Sequence, residues 1–195
     1  VGLDITGVDL NAELNGRTFL RETLPRLSFS GLSDKSAALT TQVMSSYAVW
    51  LEAGDVITNI AFRSGATAAG TPTNWWFALY DNSTTPALIG QTADQTSTAW
   101  AANTTKSLPL SVMAAGFSAP FKVLTSGVYY VACMVKATTV PSLVCQDLFD
   151  AGFSTGLITG QKTLAQTSGS ALTATAPTTI ATPTAVANRA YAVLN

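Results

Sequence analysis

The sequence predicts an all-β fold, a jelly-roll-like antiparallel β-sandwich, on three observations. The stretch Val128-Tyr129-Tyr130-Val131-Ala132-Cys133-Met134-Val135-Lys136 is aromatic and β-branched on both faces and follows the turn residues Thr125-Ser126-Gly127. A run so short and so bounded suits a strand inside a sandwich better than a helix. Comparable short runs recur from about residue 38 onward, each punctuated by turn residues. Charged residues make up only 11 % of the chain, against roughly 25 % in an ordinary soluble domain. Threonine, which suits strands and neutral polar surfaces, is correspondingly abundant.

Taken in order, the chain divides by charge. Residues 1–37 hold nine charged residues (Asp4, Asp9, Glu13, Arg17, Arg21, Glu22, Arg26, Asp34 and Lys35), whereas the other 158 residues hold twelve. Leu20, Leu24 and Leu27 fall at helical spacing and Thr18 could cap a short helix. Pro25 would end it, and Gly16 weakens anything upstream. The expectation is an extended N-terminal arm, 1–37, with at most one or two helical turns, followed by a sandwich domain, 38–195. The arm's apolar residues cannot form a core alone, so Arg17, Phe19, Leu20, Arg21, Leu24, Arg26 and Leu27 are its candidate docking residues.

Within the domain, Val56, Ile60 and Phe62 alternate with Asn59 and Arg63 as in a half-buried strand. Ser64–Asn74 reads as a loop, Trp75–Tyr80 as a strand, and Asp81-Asn82-Ser83 as the turn that stops it. Leu88-Ile89, Ala99-Trp100, Ser107–Val112, Phe121–Leu124 and 139–145 read as further short strands. Pro109 places its strand on an edge. A looser stretch surrounds Gly152–Gly160. Residues 165–187 are almost wholly Ala, Thr, Ser and Pro, too poor in bulky groups to build core, and Arg189–Leu194 alternates as a closing strand.

The chemistry is bounded by absence. With no histidine, Ser-His-Asp and Cys-His catalysis and the common histidine metal sites are excluded. There is no phosphate-binding Gly-rich loop with its lysine and no dinucleotide fingerprint, so no cofactor is expected. A net charge of −1 draws the chain neither to nucleic acid nor to an anionic membrane, and no apolar stretch is long enough to span one. Cys133 and Cys145 match no zinc, redox or haem spacing; a buried, inert thiol is the reading for Cys133, with a Cys133–Cys145 disulfide as the alternative. Carboxylate chemistry remains, and Asp147 with Asp150 is its best pair, yet two acids three apart on a loop are ordinarily solvated or capping. No catalytic residue is assigned.

Adjacent aromatics pose a packing problem. Trp75 and Trp76 must point to opposite faces of their strand, as must Tyr129 and Tyr130. One of each pair enters the core; the other needs cover from a loop, the arm, a second subunit or a ligand. With Trp100, the outward members form either an interface or a sugar-stacking platform.

Three stretches carry a family resemblance. They are Thr58-Asn59-Ile60 with Thr67 through Trp75-Trp76-Phe77-Ala78-Leu79-Tyr80-Asp81; Gln91-Thr92-Ala93-Asp94 through Trp100; and Gly127-Val128-Tyr129-Tyr130-Val131 with Ala137 through Leu143. Together they resemble a β-sandwich domain of virion proteins of tailed bacteriophages, of the minor tail, tail-fibre or head-fibre type, over roughly residues 40–195. The resemblance implies a place on the outside of a phage particle and carries over no active-site residue. The expectation is a non-catalytic external capsid decoration protein, a homotrimer fastened to capsid or tail proteins by its first 37 residues. The alternative is a tail module that binds a receptor or a host surface glycan.

Overall fold

The computed structural model describes residues 21–25, 32–35 and 38–195. Among them the chain is an antiparallel, almost wholly β structure. Ten strands form one long sheet in the order β1 (Arg21–Glu22), β15 (Ala192–Leu194), β5 (Asn59–Arg63), β8 (Thr105–Met113), β7 (Leu88–Thr92), β6 (Asn74–Tyr80), β10 (Gly127–Lys136), β3 (Met44–Leu51), β12 (Ala165–Ser168) and β13 (Thr184–Ala185). Strands β14 (Asn188–Ala190), β11 (Leu143–Asp147) and β2 (Ser33–Lys35) form a second sheet, and β4 (Val56–Ile57) pairs with β9 (Phe121–Lys122). One short helix, α1 (Ala151–Thr155), lies in the stretch read as loose. No helix among the described residues is long and apolar enough to cross a membrane.

The long sheet folds over itself at β8. Residues 105–109 pair with β5, whereas 110–113 pair with β7. Pro109 sits where the partner changes, so each half of the strand has one free side and a residue without an N–H is tolerated there. Folding brings distant strands face to face. The ring of Phe62 on β5 lies 4.8 Å from that of Phe77 on β6 and 6.1 Å from that of Tyr47 on β3. This is the inner core, which also takes Val49, Leu51, Trp75, Leu79, Val131, Cys133 and Val135.

Alternation along the strands sends Met44, Ala48, Trp76, Ala78, Tyr80, Tyr130, Ala132 and Met134 to the outer face of the same layer. That face is buried as well, and its cover corrects the expectation for residues 165–187. Ala176 and Ile180 close over it, with Leu164 and Leu172 packed at the margin. A segment of small residues can do this because its backbone finds partners below. Trp76 Nε1 donates to the Thr173 carbonyl (2.7 Å), Tyr80 Oη to the Pro177 carbonyl (2.8 Å), and the Ala176 N–H to Gln91 Oε1 (2.6 Å). Buried backbone groups thereby stay paired.

The N-terminal arm is extended where it is described. Residues 21–25 are not helical: β1 extends the sheet beside β15, and the Thr23 hydroxyl donates to the Ala190 carbonyl (2.7 Å). Arg21 donates from Nε (2.7 Å) and Nη2 (2.8 Å) to Asp55 and from Nη2 to Glu52 (3.0 Å). Leu24 is 2 % exposed. Strand β2 pairs with β11, and Lys35 forms an ion pair with Asp147. Strands β1 and β2 thus pair with strands of the sandwich, and Arg21 and Leu24 are engaged inside the chain. Arg17, Phe19, Leu20, Arg26 and Leu27 lie outside the described residues.

Smaller differences have local causes. Ala99-Trp100 is a loop whose tryptophan is nonetheless core, held by the Ala69 N–H on the Trp100 carbonyl (2.9 Å). The closing strand is split at Tyr191, its halves pairing with β11 and β5 in different sheets.

Candidate binding surface on the outer face

The sugar-stacking platform is not there. Trp75, Trp76, Trp100, Tyr129 and Tyr130 are all buried within the chain itself. Trp75 and Trp100 stack on each other at 5.0 Å, Trp75 Nε1 donates to the Thr98 carbonyl (2.8 Å), and Tyr129 Oη to the Thr125 carbonyl (2.8 Å). No indole of this set offers a free face. The exposed tryptophan is Trp50, at 55 %. It is the penultimate residue of β3, opposite Val128 of β10, beyond the reach of the segment that buries Trp76. Its parity with Met44 and Ala48 marks the face in the sequence, but nothing there says where the cover stops.

The carboxylates are engaged in holding the fold. Asp81 takes the Ser83 N–H (3.1 Å), the Ser83 hydroxyl (2.6 Å) and the Ala87 N–H (2.8 Å), the turn chemistry expected of it. Asp94 accepts from Asn74 Nδ2 (2.7 Å) and the Trp75 N–H (3.0 Å). Asp147 serves Lys35, and Asp150 caps α1 by accepting the Phe153 N–H at 2.6 Å, so the two acids of the candidate pair have separate structural tasks.

Both cysteines are free and buried. Burial raises the Cys133 thiol well above its ordinary value and pushes Cys145 up to about 12; burial likewise raises Tyr47 and Tyr80 and pushes Tyr130 up to about 12. Each group holds its proton more tightly folded than unfolded, so the unfolded chain ionises first. Their contribution to stability is complete below about pH 9 and is lost as pH climbs toward about 12. Melting temperature should therefore fall progressively above about pH 9, with a shallower fall in Cys145→Ala. A profile flat to about pH 11 would contradict this.

Two adjoining clefts open on the outer face. The larger, about 580 Å³, lies between residues 84–86, 160–163 and 180–183, with Tyr130 and Gln166 also lining it. Tyr130 pairs across β3 with Ala48, and Gln166 with Ser46; side chains so small leave the space between the bulky neighbours unfilled. Lys162 forms part of the rim, its ammonium donating to the carbonyls of Asn82 (3.1 Å) and Ser83 (2.7 Å). The smaller cleft, about 280 Å³, is apolar, lined by Val128, Phe153, Leu157 and Leu164 and sharing Gln161 and Lys162 with the first. Gly156 ends α1 at φ +103°, and a Cβ there would stand 2.6 Å from Gln161, so the wall between the clefts needs glycine. Beside it Phe149, Phe153, Leu157 and Ile158 are exposed, Phe149 at 91 %.

The arrangement offers a neutral polar cleft, an apolar cleft and a cluster of bare hydrophobic side chains on one face. Sequence reading missed all three, because they arise where separate loops meet. No protein-family model matches the chain, and a search of curated proteins returns no relative.

Proposed function

We propose that the chain is a non-catalytic structural protein of a bacteriophage particle, an external capsid decoration protein that docks through its N-terminal segment. The observation that carries this reading is how the side chains are used. Asp55, Asp81, Asp94, Asp147 and Asp150 are bound up in ion pairs, turns and a cap, while Trp50, Phe149, Leu157 and Ile158 stay bare. Large exposed apolar side chains gathered on one face are typical of protein contacts. The family resemblance of residues 40–195 supports the same location. For the test, the docking segment is taken as residues 1–20, ahead of β1, which pairs with β15. Gold-labelled antibody against the chain should decorate the heads of intact particles of the phage that encodes it, and a chain beginning at residue 21 should be soluble but fail to join them. Label confined to the tail, or full incorporation of the shortened chain, would overturn the reading.

A further inference from the structure

We propose that Phe19 and Leu20 seat on the apolar surface around Trp50 of their own chain, so that the docking segment leaves the sandwich from this face. The inference goes beyond the particle-docking reading and does not depend on it. The surface is continuous. Trp50 stands opposite Val128 across β3 and β10, and Val128 lines the smaller cleft with Phe153, Leu157 and Leu164. Trp50, Phe153 and Leu157 are exposed, whereas Trp75, Trp76 and Trp100 are fully buried. Bare apolar surface gathered in this way marks a contact.

The occupant follows from where the chain enters the fold. Arg21 opens β1, and its guanidinium is held by Glu52 at 3.0 Å and by Asp55 at 2.7 Å. Glu52 comes two residues after Trp50, and Cα atoms of β1 lie within 8 Å of those of β3. The residues just ahead of Arg21 are Leu20 and Phe19. Extended chain covers at most ~3.6 Å per residue, so the tether from the ion pair to these two side chains is no longer than roughly 7 Å. A group on so short a tether acts at a millimolar effective concentration, which a free second copy does not match. The chemistry agrees as well. An aromatic and a branched aliphatic side chain meet a cleft whose one charged lining residue, Lys162, is already held by the carbonyls of Asn82 and Ser83, and removal of apolar surface from water drives the contact.

The test is a nuclear Overhauser experiment on the full, ¹³C-labelled chain. Cross-peaks should join the Phe19 ring and the Leu20 methyls to the Trp50 indole and to the methyls of Val128 and Leu157. In an equal mixture of labelled and unlabelled chains, isotope filtering should show no such peaks between chains. A variant carrying both Phe19→Ser and Leu20→Ser should shift Trp50 emission to the red and raise its quenching by acrylamide. The Trp50 signal is isolated by subtracting the spectrum of Trp50→Phe in the same background. The proposal is overturned if the cross-peaks are absent, if they run only between different chains, or if the double serine variant leaves the emission and quenching of Trp50 unchanged. None of these measurements reads particle incorporation, so the docking reading stands or falls separately.

Discussion

Trp100→Ala is expected to destabilise the sandwich by about 4 kcal/mol, within the range for deleting a large buried aromatic. Trp100 comes from a loop without strand structure, yet it is fully buried, stacked 5.0 Å from Trp75 and set edge-on 5.5 Å from Phe77. Its removal takes away the transfer free energy of the indole and two aromatic contacts worth roughly 0.5–1.5 kcal/mol each. It also leaves a void that Trp75 and Phe77 cannot fill, because their strand is held on both sides by β7 and β10. For a chain of this length a loss of that size lowers the melting temperature by roughly 8–16 °C. Urea unfolding monitored by circular dichroism measures it directly. A loss below about 1 kcal/mol would mean that the loop contributes nothing to the core, contrary to its burial.

Arg21→Ala is the second large effect, an expected loss of about 3 kcal/mol. The guanidinium spans both oxygens of Asp55, and the two side chains are only 11 % and 8 % exposed, so solvent screens the pair little. Deleting the cation leaves a buried carboxylate that still accepts the Glu52 N–H (2.9 Å) but has lost its counter-charge, and an uncompensated buried charge is costly. Arg21→Lys should restore only part of the loss, since an ammonium cannot reproduce the two-pronged geometry. Asp55→Asn with Arg21→Ala should cost less than Arg21→Ala alone, the pattern of a coupled pair. Equal losses in the single and double variants would show that the pair is not the source of the effect.

The fold class was legible because it rests on strand grammar. The apolar runs at 75–80 and 128–136 and the turn at Asp81 announce themselves by residue type. The strand Met44–Leu51 does not, although it is the longest partner of β10. Its Ser45, Ser46 and Ala48 break any apolar alternation, and burial on both faces removes the periodicity that reading relies on. Residues 165–187 misled for the opposite reason. Small residues seemed unfit for core, but Ala176 and Ile180 need supply only a thin lid over large aromatics already in place. The binding surface was illegible in principle. The larger cleft opens beside Tyr130 and Gln166 where neighbouring strands put Ala48 and Ser46 opposite them, a register no local pattern encodes.

The shared strand β8 has a mechanical meaning. Since a single backbone passes from one layer into the other at Pro109, the two halves of the body are stitched together by covalent bonds as well as by side chains. Prising them apart would tear the pairing of 105–109 with β5 or that of 110–113 with β7. Such a body is expected to resist shear and to yield as a unit.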